Sequence, residues 1–66
     1  MDLKVNGQPR TLPQNITVTK LLYSLSLSED GVAVAVNRAV VPQSRHSRMI
    51  LREGDEIEII QAVGGG

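Results

Sequence analysis

The sequence predicts an α+β domain in which one helix covers one face of a mixed β-sheet. Three observations predict it. Apolar residues alternate with period two in Asp2–Asn6, Val32–Val36 and Glu56–Gln61, the spacing of half-buried strands. Apolar residues recur at helical spacing in one stretch, Val18, Leu21, Leu22 and Leu25. The chain has 66 residues, enough for one core, and a domain of that size buries only about 60% of the surface its unfolded chain exposes.

Asp2-Leu3-Lys4-Val5-Asn6 puts Leu3 and Val5 on one face of a first strand. Asn6-Gly7 follows, a pair that tolerates the positive φ of a tight hairpin, so a return strand is expected from Pro9 to Leu12, with Leu12 back on the buried face. Pro9 lacks an N–H and places that strand at a sheet edge. Pro13-Gln14-Asn15 breaks the strand, and Thr17 is positioned to accept a hydrogen bond from an open amide in the first turn of a helix. The stripe Val18, Leu21, Leu22 and Leu25 faces the sheet, while Thr19, Lys20, Tyr23 and Ser24 point outward.

Ser26 to Gly31 is polar apart from Leu27 and reads as the loop that reverses the chain. Val32-Ala33-Val34-Ala35-Val36 is the cleanest strand, its valines facing the helix and its alanines the other side of the sheet. An alanine face suits a partner's surface and tolerates solvent equally well. Asn37-Arg38 is a turn, Val40-Val41 a brief strand and Pro42 its end. His46 sits in the polar run Gln43–Arg48 with no second His and no acidic cluster nearby, which makes it an ordinary surface residue and not a metal ligand. Arg45, Arg48 and Arg52 form a basic strip that fits an acidic partner or a solvated loop. Gly54-Asp55 turns the chain into the last strand, Glu56–Gln61, which buries Ile57 and Ile59. Ile60 then shares the outer face with Glu56 and Glu58, an apolar side chain placed for docking.

A last strand lying parallel beside the first, reached by a right-handed crossover, completes a mixed sheet; this is the ubiquitin-like β-grasp arrangement. The chain divides into a β-grasp domain, residues 1–61, and a tail, residues 62–66. Ala62-Val63-Gly64-Gly65-Gly66 ends in three residues that lose the most conformational freedom on ordering, so a flexible tail is expected. A side-chain-free end with a free carboxylate suits insertion into a partner's narrow active site; a frayed terminus has the same composition.

Composition narrows the chemistry. Seven basic residues balance seven acidic ones, and the single aromatic side chain is a Tyr, so neither the positive field nor the stacking platform of a nucleic-acid binder is present. Cysteine is absent, which excludes disulfides, thiolate zinc sites and a thiol catalyst. No apolar run approaches the ~20 residues that span a bilayer, and Met1 leads directly into a strand pattern, so a cytoplasmic protein with no membrane partner is expected. With one His and no Cys there is no catalytic dyad, no metal site and no catalytic residue to nominate, and the chain is expected not to be an enzyme.

The run Gly54-Asp55-Glu56-Ile57-Glu58-Ile59-Ile60-Gln61-Ala62-Val63-Gly64-Gly65-Gly66, together with Val34-Ala35-Val36-Asn37 and Val40-Val41-Pro42, resembles the ThiS-type sulfur carriers of thiamine biosynthesis. The initial Lys4-Val5-Asn6-Gly7 agrees, and the resemblance spans essentially the whole chain. It implies that a ThiF-like adenylyltransferase activates the carboxylate of Gly66 with ATP, that a sulfur donor enzyme converts the adenylate to a thiocarboxylate, and that a thiazole synthase of the ThiG type receives the sulfur. The carrier is then a co-substrate that binds no cofactor of its own, the ATP belonging to its adenylating partner. Gly64 and Gly65 are the tether, and Ala62, Val63 and Ile60 are candidate docking residues. An α-carboxylate is ionised at neutral pH and able to attack the α-phosphate of ATP. The five tail residues reach roughly 17 Å at ~3.3–3.6 Å per residue. The same residues fit a sulfur carrier for molybdopterin, cysteine or tRNA thiolation, or a ubiquitin-like protein modifier.

Overall fold

The computed structural model describes residues 1–61. Five strands form one sheet: β1 (Asp2–Val5), β2 (Gln8–Thr11), β3 (Val32–Val36), β4 (Ala39–Val41) and β5 (Glu56–Gln61), in the order β2-β1-β5-β3-β4. β5 lies parallel to β1, with Lys4 opposite Glu56 and Val5 opposite Ile57, and antiparallel to β3, from Val32 opposite Gln61 to Val36 opposite Ile57. The remaining pairs are antiparallel hairpins. One helix, α1 (Val18–Ser24), covers one face, giving the ubiquitin-like β-grasp.

Both hairpins are closed by two-residue turns with positive φ at each residue, Asn6 and Gly7 at 51° and 80°, Asn37 and Arg38 at 51° and 69°. Turns of this hand match the twist of the strands they join. They also fix the register, since Val5 meets Gln8 and Val36 meets Ala39 directly. β2 begins one residue earlier than expected and ends at Thr11; it is an edge strand, with Pro9 opposite Lys4. Leu12 lies just beyond it, half-buried against the core.

The core is aliphatic and lies between α1 and the sheet. Leu3 and Val5, Val34 and Val36, Val41, and Ile57 and Ile59 come from the strands; Val18, Leu21 and Leu22 come from the helix. Leu25 completes the helix stripe at the rim, half-buried, and Val32 is likewise half-buried at the start of β3. Two core residues stood outside any periodic pattern, Ile16 and Leu51. They meet because segment 46–51 packs against the helix start: Leu51 N–H donates to Ile16 O at 2.9 Å, and Thr17 and Ile50 form an isolated antiparallel bridge.

That packing satisfies the helix N-terminus, whose first four amides have no partner within the helix. Val18 N–H donates to Met49 O at 3.0 Å and Thr19 N–H to His46 O at 3.2 Å. Thr17 caps as expected, its hydroxyl accepting from Lys20 N–H at 3.2 Å, and its carbonyl accepts from Leu21 N–H. Segment 46–51 therefore holds both the core and the helix start. It is preceded by a short 3-10 turn, Gln43–Arg45.

His46 corrects the sequence expectation. It is buried, with 1% of its surface exposed. Its Nε2 lies 3.1 Å from Val41 O, and its Nδ1 lies 3.7 Å from Glu29 Oε1. Thr19, expected to point outward, is half-buried and donates its hydroxyl to the same Glu29 carboxylate. Glu29, from the loop after the helix, thus meets Thr19 of the helix and His46 at the start of segment 46–51.

Candidate functional site

β5 is the element from which the tail continues, so its anchoring defines what the domain can present. The turn before it is held by Asp55. Its carboxylate accepts from Arg52 N–H at 2.8 Å and from Asn37 Nδ2 at 3.0 Å, while Gly54 supplies a φ of 82°. Asn37 grips the first residue of the strand: its N–H donates to Glu56 O at 2.8 Å and its Oδ1 accepts from Glu56 N–H at 3.0 Å. Asn6 does much the same further along the strand, donating N–H to Ile57 O at 2.8 Å and accepting from Ile59 N–H at 2.8 Å. Both asparagines were legible only as turn residues. Nothing in one sequence distinguishes a turn asparagine from one whose carboxamide continues a strand ladder.

Period two along β5 buries Ile57 and Ile59 and turns Glu56, Glu58 and Ile60 outward. Ile60 is 67% exposed and stands opposite Ala33; Ala35 stands opposite Glu58 and, on its other side, opposite Val40, which is 77% exposed. Ile60, Ala33, Ala35 and Val40 therefore share the outer face of three adjacent strands, an apolar patch next to Glu56 and Glu58. Val40 was missed as a surface residue. The signal was available, because a two-residue turn at Asn37-Arg38 pairs Ala35 with Val40 and must place both on one face.

Of the candidate site residues, Ile60 is where the pattern put it. Ala62, Val63, Gly64, Gly65 and Gly66 lie outside the described residues. On the helix side a groove of about 450 Å³ near the end of β5 is lined by Arg10, Gln8, Asn6, Leu25, Leu27 and Gln61, among others; Arg10 is its one charged group. Among the described residues no three His, Asp or Glu side chains converge as a metal site, and no helix is long and apolar enough to cross a membrane.

Comparison with known proteins gives four findings. The model of the ThiS family matches residues 3–66. The sulfur carrier protein ThiS of Escherichia coli K12 is 32% identical over 66 residues, covering all of both chains. A crystal structure of a thiamine biosynthesis protein (ThiS) from Geobacter metallireducens superposes with a TM-score of 0.85 at 32% identity, again over all of both chains. The chain is also 36% identical over 66 residues to a thiazole synthase of Paramagnetospirillum magneticum, where it spans 20% of that protein's length.

Proposed function

The chain belongs to the ThiS family, and from that membership we propose that it is a sulfur carrier of thiamine biosynthesis whose reacting group is the carboxylate of Gly66. The observation that carries this reading is the family match over residues 3–66, which takes in Gly64, Gly65 and Gly66 together with the β-grasp domain.

The chemistry follows from what a carboxylate lacks. It is ionised at neutral pH and a poor acyl donor. One carboxylate oxygen of Gly66 attacks the α-phosphate of ATP on a ThiF-like adenylyltransferase, and pyrophosphate leaves. A sulfide-level nucleophile delivered by a donor enzyme then adds to the acyl carbon of the adenylate and AMP leaves, which gives the thiocarboxylate directly. Gly66 has no Cβ to obstruct that approach. ATP is a substrate of the partner, and the carrier contributes the acyl group with no cofactor of its own.

Thiazole synthase is the proposed acceptor. The similarity of this whole chain to one fifth of a thiazole synthase supports the pairing, since a carrier and the enzyme that consumes its sulfur gain effective concentration when joined in one polypeptide. Ile60, Ala33, Ala35 and Val40 supply the docking face for the adenylating enzyme, with Glu56 and Glu58 beside them to select a basic rim. Ala62 and Val63 extend that contact toward the partner's active site.

Reconstitution tests the reading. Thiazole synthase, the adenylating enzyme, a sulfur donor and ATP should form thiazole with the wild-type carrier and not with a chain lacking Gly66. Equal product from both would overturn the role of Gly66, and a lysine-linked adduct of the wild type in place of product would assign the chain as a protein modifier.

A further inference from the structure

Asn6 and Asn37 make similar contacts at different points along β5. Both open two-residue turns at φ 51°. Both use the main-chain N–H and the side-chain Oδ1 together on the main chain of β5. They differ in place. Asn37 acts on Glu56, the first residue of the strand, whereas Asn6 acts on Ile59, two residues before its end at Gln61.

The Asn6 contact replaces a missing rung. β1 pairs with β5 at Lys4–Glu56 and Val5–Ile57. In a parallel ladder the bond from Asn6 N–H to Ile57 O is followed by one from Ile59 N–H to the main-chain carbonyl of residue 6. The chain has by then entered the left-handed turn, and the carboxamide supplies the acceptor instead, at 2.8 Å. Its Nδ2 also donates to Ile59 O at 3.4 Å. On the other edge of β5, β3 remains paired as far as Val32–Gln61.

We propose that Asn6 is a positioning residue for sulfur loading: its carboxamide holds Ile59 of β5 on the β1 side, one rung beyond the main-chain ladder, and so steadies the strand from which the chain continues toward Gly66. This rests on the sulfur-carrier reading. Without the carboxamide β5 is tied along one edge only from Ile59 onward. The adenylating enzyme must then supply the missing order when it binds, a cost that enters KM and not kcat.

The test uses two matched variants, Asn6→Gly and Asn37→Gly. Glycine accepts the positive φ without strain, so each change removes a carboxamide and keeps its turn. Amide hydrogen exchange is followed along β5, and KM and kcat for the carrier are measured with a ThiF-like adenylating enzyme. Losing one hydrogen bond of ordinary net strength should speed exchange about three- to tenfold, at Ile59 in Asn6→Gly and at Glu56 in Asn37→Gly. Asn6→Gly should raise KM by a similar factor of about three to ten with kcat unchanged, and Asn37→Gly should leave KM within about twofold. Equal KM values for the two variants would reduce Asn6 to a structural role and overturn the proposal. The exchange measurement needs no partner. Unchanged exchange at Ile59 in Asn6→Gly overturns the clamp whatever the wild type does with sulfur. Faster exchange at Ile59 beside a wild type that takes no sulfur supports the clamp and overturns the sulfur-carrier reading alone.

Discussion

His46 lies between two acceptors, the Val41 carbonyl and the Glu29 carboxylate. Val41 O can only accept, so Nε2 donates to it, while Nδ1 lies 3.7 Å from the Glu29 carboxylate without a hydrogen bond. The ring fills space beside Val41 while its own carbonyl accepts from Thr19 N–H at the helix start. Replacing it opens a cavity and leaves Val41 O without that donor. His46→Ala should therefore cost about 2–4 kcal/mol, read from urea unfolding; a cost below about 1 kcal/mol would show that the site collapses or that water replaces the ring. The residue was misread because Gln43–Arg48 has no apolar period to reveal an inward position. A single His among polar neighbours looks solvated until the fold brings Glu29 and Val41 to it. Ile60 was legible for the converse reason. It stands in a strand whose alternation is unbroken from Glu56 to Ile59, so its face follows from its place in the count.

α1 is short enough that its ends decide its stability. The start is capped by Thr17 and by carbonyls of segment 46–51. The end is a Schellman motif: Leu27 N–H donates to Leu22 O at 2.8 Å and Ser26 N–H to Tyr23 O at 2.9 Å, with Ser26 at φ 61°. That position favours glycine, and serine carries the strain of a Cβ there. Ser26→Gly should stabilise the domain by about 0.5–1 kcal/mol, measured by thermal or denaturant unfolding; a loss would mean that the serine side chain contributes more than its strain removes. The five strands and the helix were legible because each carries its own period or turn residues. The bracing of the helix start by segment 46–51 was not, since it rests on main-chain bonds between residues about thirty positions apart that leave no mark on either segment.

At the scale of the molecule, the sheet order places β5 between β1 and β3, and the outer face gathers Ile60, Ala33, Ala35 and Val40 from three strands. These side chains are outside the core, so charging them tests docking with little effect on folding. The double change Val40→Glu with Ile60→Glu should alter stability by no more than about 1 kcal/mol. It should also weaken productive binding to the adenylating enzyme by roughly tenfold or more, as expected when two exposed apolar contacts become charged. Equal loading by this variant would place the docking surface elsewhere. The central claim concerns one atom at the end of residues 62–66. After incubation with ATP, a ThiF-like adenylating enzyme and a sulfur donor, high-resolution mass spectrometry of the C-terminal peptide should find one oxygen replaced by one sulfur at Gly66. The peptide must be separated from those holding Met1 and Met49, whose oxidation changes the nominal mass by the same amount. Sulfur on the C-terminal peptide is the predicted result; an unchanged Gly66 carboxylate, with enzymes that load another ThiS-family carrier in parallel, would contradict it.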